Sequence, residues 1–159
     1  MTKSFFIFIS ALLLCACTSE ADISAEEIFQ KTDEKFYTYT EFYCEFSSGK
    51  SFTPQKNLQN INTSTDKAPS LQIIVNDNDG YAEIIGNLGK SIAAAIRKED
   101  MLQIVESPFA GFTVLSIYNI NNGRNHLGQT NFFAAYTRNM SIIGIPIVSV
   151  YHGICTAKK

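Results

Sequence analysis

From Leu71 to Cys155 turn residues cut the chain into apolar segments of strand length, and this punctuation restricts the possible folds more than any motif does. The segments run from Leu71 to Val75, Tyr81 to Ile85, Ser91 to Arg97, Met101 to Glu106, Phe112 to Ile120, Thr130 to Arg138 and Ile142 to Cys155. Between them stand Asp79-Gly80, Asn87-Leu88-Gly89, Glu99-Asp100, Pro108 to Gly111, Asn121-Asn122-Gly123 and Arg138-Asn139, the chemistry of hairpin turns. Parallel strands need a crossover of about a dozen residues or more, so connections this short make the pairing antiparallel. Residues 91–97 leave one ambiguity, because Ile92 to Ile96 suit a short helix as well as a strand.

Upstream, Phe36 to Phe46 alternates with period two. Phe36, Phe42, Cys44 and Phe46 point one way, and Tyr37, Tyr39, Glu41, Tyr43 and Glu45 the other. This is the clearest strand of the chain. Before it, Ser24-Ala25-Glu26-Glu27 forms a capping box, and Ile23 and Ile28 are spaced as a hydrophobic staple, which predicts a helix over Ala25 to Lys35. After it, residues 47–70 are rich in Ser, Thr, Asn, Gln and Lys with Pro54 and Pro69, and read as a long mobile loop.

At the N-terminus, Lys3 precedes the apolar stretch Phe5 to Leu14, the layout of a secretory signal. Thr18, Ser19 and Glu20 stop the run short of the roughly 20 apolar residues a membrane span needs. Leu14-Cys15-Ala16-Cys17 resembles the lipobox of bacterial lipoproteins. The resemblance implies cleavage before Cys17, a diacylglycerol thioether on its sulfur and a further acyl chain such as palmitate on its amine. The alternative is an ordinary cleaved signal whose cysteines are incidental. With Thr18 rather than Asp after the cysteine, the resemblance also implies outer-membrane sorting, facing the periplasm, or the cell-membrane surface if the source has one membrane. The chain then divides into a signal peptide 1–16, a lipidated tether 17–22 and a single domain 23–159.

If Cys15 leaves with the signal and Cys17 carries lipid, Cys44 and Cys155 remain, and two cysteines in an oxidising compartment pair. Two separately buried thiols are the alternative. Such a bond joins the first strand to the last, with α-carbons expected about 5.5 to 6 Å apart. A meander of about eight strands held together at its ends closes into a small antiparallel up-and-down barrel, or a strongly curved meander, with one N-terminal helix. The fold class is therefore mainly β.

Net charge is −2 before Lys3 departs, with no basic stripe, which argues against nucleic acid as a partner. Asp77-Asn78-Asp79-Gly80 lacks the first and twelfth ligands of a calcium loop, which fall at Val75 and Gly86, and reads as a polar turn. Gly89-Lys90-Ser91 lacks the leading glycine of a phosphate loop, since Ile84 stands there. His126 and His152 have no ligand partner at metal spacing, and nothing implies a metal or a cofactor. No nucleophile motif remains. Glu83 and Glu106 could form a carboxylate pair across strands, as the acid and base of a glycosidase do, but such pairs occur on any sheet surface.

Tyr37, Tyr39 and Tyr43 share the face opposite Phe42 and Cys44, so they form a candidate binding stripe if that face is exposed. If it packs under the helix or the long loop, they are core. The anchor, the small barrel, Phe42-Tyr43-Cys44 and the late Cys155 together resemble the membrane-bound lysozyme inhibitors of bacterial envelopes. No inhibitory residue is carried over, because Tyr43 adjoins Cys44 directly and Ser107 to Gly111 only loosely echoes the inhibitory Ser-Gly loop. The function expected is a lipid-anchored, non-enzymatic envelope module that binds or inhibits a protein partner or holds a small amphipathic ligand. The alternatives are a structural subunit of an envelope assembly and a hydrolase using acids at the barrel rim.

Overall fold

The computed structural model describes residues 32–47, 49–54, 61–87, 89–108, 111–142 and 145–158. Among them lie β1 (Glu41–Phe46), β2 (Gly49–Pro54), β3 (Ile61–Asp66), β4 (Ser70–Asn76), β5 (Tyr81–Gly86), β6 (Gly89–Arg97), β7 (Met101–Glu106), β8 (Gly111–Arg124), β9 (Thr130–Ile142) and β10 (Ile145–Lys158). β4 to β10 follow one another as antiparallel neighbours, β1 flanks β4, and β10 pairs back on β1. The result is a closed eight-stranded antiparallel barrel, from which β2 and β3 extend along β10.

Cys44 and Cys155 are register partners across the β1–β10 seam and are joined by a disulfide. Their α-carbons lie 3.9 Å apart, nearer than expected, and the two residues face each other directly in the register. Gly153 pairs with Phe46 two residues further along, and any Cβ there would run into the backbone oxygen of Glu45. A glycine is what lets the strands meet at this point.

β10 is long enough to serve two neighbours end to end. Its later half pairs with β1, its earlier half with β2, and the register slips between them: Phe46 faces Gly153, but Lys50 faces Val150. The β1–β2 side therefore carries one extra residue, a β-bulge. Ser47 fixes it by donating both its backbone N–H and its hydroxyl to the His152 carbonyl, each at 2.9 Å. Inward positions change from even to odd across the bulge, from Phe42 and Cys44 to Gly49 and Ser51. Ser51 is buried with its Oγ 2.6 Å from that of Ser149.

Barrels of this strand number have an interior just wide enough for side chains to fill, and around the disulfide this one is filled. Ile73, Ala82, Ala93, Leu102, Ile104, Leu115, Ile117 and Ala134 pack around the disulfide, all of them buried. The alternation of buried with less buried positions along β4 and β7 is the sequence alternation made physical.

Several boundaries differ from the sequence reading. Residues 47–70 are not simply a loop, since β2 and β3 form a paired hairpin within them. Their polar composition is tolerated because the backbone ladder and the Ser51–Ser149 contact satisfy the groups involved. Residues 91–97 are strand: Ala93 is buried and Ile92 and Ile96 point outward. Asn121-Asn122-Gly123 does not turn the chain. It sits in β8, where Gly123 at φ 84° donates to Asn121 Oδ1 and bulges absorb the local bend; the turn comes at 125–129. Arg138-Asn139 likewise continues β9, paired on both sides. The helix expected over Ala25 to Lys35 lies mainly outside the described residues, and its last positions, 32–35, are not helical. Phe36 to Thr38 form a single 3-10 turn, so the first strand begins at Glu41 rather than at Phe36.

Candidate functional site

The two ends of the barrel are built differently. At one end the segment ahead of β1 crosses the opening and inserts Phe36, wholly buried against Phe132 and Phe42 at ring distances of 5.1 and 6.3 Å. Arg97, at the end of β6, holds this plug. Its Nη1 donates to the Phe36 carbonyl at 3.0 Å and its Nη2 to the Tyr39 carbonyl at 2.9 Å, while Nε and Nη2 grip Asp77 at 2.9 and 3.0 Å. The buried Asn119 accepts from the Asp33 amide, and Tyr37 Oη donates to the Glu99 carbonyl. That end is shut.

At the other end the described residues place no such plug. A cavity of about 480 Å³ lies in its mouth, within the range that ligand pockets occupy. Leu71 of β4, Ile84 of β5, Met140 and Tyr136 of β9 and Tyr151 of β10 give it apolar walls. Strand parity places these side chains inward: Leu71 continues Ile73 and Val75, and Tyr136, Arg138 and Met140 continue Phe132 and Ala134. The same parity brings Glu106, Thr113 and Arg138 side by side across β7, β8 and β9, as successive register partners at the rim. Thr113 Oγ1 donates to Glu106 Oε2 at 3.1 Å. Burial raises the Tyr136 phenol above its ordinary pKa, with Glu106 adding to the shift and Arg138 and Thr113 opposing it, so the phenol remains a neutral donor at physiological pH.

The proposed tyrosine stripe is not assembled. Tyr43 is exposed at 40% on the outer face of β1, and Tyr37 at 42% in the turn before it. Tyr39, expected beside them, is only 7% exposed; its ring packs on Phe42 and Phe132 because the chain there crosses the barrel end instead of running as strand. Glu83 and Glu106 do not meet either: Glu83 faces outward and pairs with Lys90 at 2.7 Å, whereas Glu106 faces the mouth. Asp77 to Gly80 is the hairpin turn expected of it. His126 and His152 are exposed, and among the described residues no cluster of His, Cys, Asp and Glu suits a metal ion. Cys17 lies outside the described residues.

Sequence reasoning missed the mouth because it treated Arg138-Asn139 as a turn. The period-two run Phe132, Ala134, Tyr136, Arg138, Met140 was the available signal for a longer β9. Comparison with protein-family models, with curated proteins and with solved structures finds no match to this chain.

Proposed function

We propose that this protein is a lipid-anchored envelope protein whose open barrel mouth binds a small amphipathic ligand without chemical conversion. The anchor rests on Leu14, Ala16 and Cys17 of the lipobox-like segment. The observation that carries the ligand reading is the asymmetry of the barrel: one end plugged by Phe36, the other holding a cavity of about 480 Å³ with apolar walls and a polar rim. A filled barrel with an exposed aromatic stripe would favour a protein partner, and burial of Tyr39 removes the centre of that stripe.

The ligand reading is tested by titrating the full chain carrying Cys17→Ser with the neutral probe N-phenylnaphthylamine. Probe fluorescence should rise on binding and should be lost in Met140→Trp, which fills the mouth. No rise, or a rise untouched by Met140→Trp, refutes the site. For the anchor, Cys17→Ser should abolish acyl labelling in cells and release the protein from membranes, and labelling that persists in the variant excludes it.

A further inference from the structure

The geometry points to a single-chain anionic amphiphile, a carboxylate or phosphate head on an apolar tail, as the occupant of the mouth, with the Arg138 guanidinium anchoring the head. This names the ligand class for the binding reading above and rests on it. The first argument is charge. The chain as a whole carries a net charge of −2, yet the mouth is lined by Lys67, Lys90 and Arg138 against the single acid Glu106. Lys90 is partly neutralised by Glu83 on the outer wall and Lys67 is exposed in the segment before β4, which leaves Arg138 as the half-buried cation at an inward strand position.

Arg138 also differs from the other inward arginine. Arg97 spends its donors on two carbonyls and a carboxylate, whereas Arg138 makes no hydrogen bond or ion pair among the described residues. Its neighbour Glu106 takes its hydrogen bond from Thr113, one strand nearer. A half-buried guanidinium presents a planar fork of N–H donors that matches a carboxylate or a phosphate, and burial strengthens the charge-assisted bonds it makes. Elsewhere in the cavity Leu71, Ile84 and Met140 offer apolar surface, which suits a tail and not a second charge.

The test compares decanoate, decyl phosphate and the neutral decanol by calorimetric titration of the full chain carrying Cys17→Ser, with acetate and inorganic phosphate as heads lacking tails. Both anionic amphiphiles should bind at least about tenfold more tightly than decanol, the least a charge-assisted bond contributes. Arg138→Gln should remove that preference, the anions then binding that variant no more tightly than decanol does, and Arg138→Lys should keep part of it. Glu106→Gln, which deletes the opposing acid, should tighten anion binding alone. Decanol binding as tightly as decanoate overturns the assignment and leaves the ligand site standing, as does an anion preference surviving Arg138→Gln. Inorganic phosphate displacing decyl phosphate at equal concentration overturns the amphiphile class in favour of a free anion. If none of the three tailed compounds binds, the ligand reading itself is lost. The comparison on unsubstituted Arg138 decides the matter even if a variant folds poorly.

Discussion

The Arg97 guanidinium donates to the backbone oxygen of Phe36 at 3.0 Å and lies 5.7 Å over the ring of the same residue. One side chain thus holds both the main chain and the ring of the plug, from a strand 61 residues away in sequence.

Phe36→Ala should therefore cost about 3 to 5 kcal/mol, as a buried aromatic with no room to collapse. Arg97→Ala should cost about 2 to 4 kcal/mol, because two part-buried carbonyls and Asp77 lose their partner together. Arg97→Lys should recover less than half of that, since one ammonium cannot replace the fork. Urea unfolding gives the magnitudes. Amide exchange over Asp33 to Tyr39 should accelerate in both arginine variants before the rest of the barrel responds.

Cys44→Ser and Cys155→Ser should each destabilise by about 2 to 5 kcal/mol, and the double variant should be little worse than either. Strict non-additivity in the denaturation midpoints is the expected result. Two independent, summing losses would mean that the thiols act separately.

Gly153→Ala should weaken the seam although it adds only a methyl group, because the new Cβ meets the Glu45 carbonyl rather than a side chain that can move. A loss of about 1 to 3 kcal/mol is expected. Gly123→Ala serves as the contrast: space around it is open, so its cost should come from its positive φ alone and leave the seam intact. Exchange rates of the β1 and β10 amides distinguish the two.

Glu41 accepts from Lys158 Nζ at 2.8 Å and from Gln72 Nε2 at 2.7 Å, and these two bonds lower its carboxyl pKa below the ordinary 4.5. A carboxylate with a depressed folded-state pKa stabilises the fold above its unfolded value and loses that contribution as pH falls through the folded value. Glu41→Gln should therefore narrow its gap to the parent in acid. The gap at neutral pH should not exceed about 1 kcal/mol, because the pair is near the surface. A thermal melt series from neutral to acid pH measures both, and a gap that widens in acid contradicts the assignment.

Much of the barrel was legible because its information is local. Leu71 to Val75 and Met101 to Glu106 announce their inward faces by alternation, and the pairing of Cys44 with Cys155 followed once the other two cysteines had been assigned elsewhere. What escaped depends on partners distant in sequence. Tyr39 looks like a strand residue until Phe132 and Thr130 are seen to enclose it, and β2 looks like loop until β10 is found to extend past β1 and pair with it. The mouth was hidden for the same reason: Glu106 and Arg138 become neighbours only through Thr113 between them.

Thr32 and Lys158 line the same recess beside the plugged end, on the opposite side of the barrel from Leu71, Glu106 and Arg138. A surface or a reporter coupled at Thr32 or Lys158 would therefore face the plug, with Glu106 and Arg138 at the far end. The described fold has the polarity of a cup, with Thr32 and Lys158 at its base and the row of Glu106, Thr113 and Arg138 at its rim.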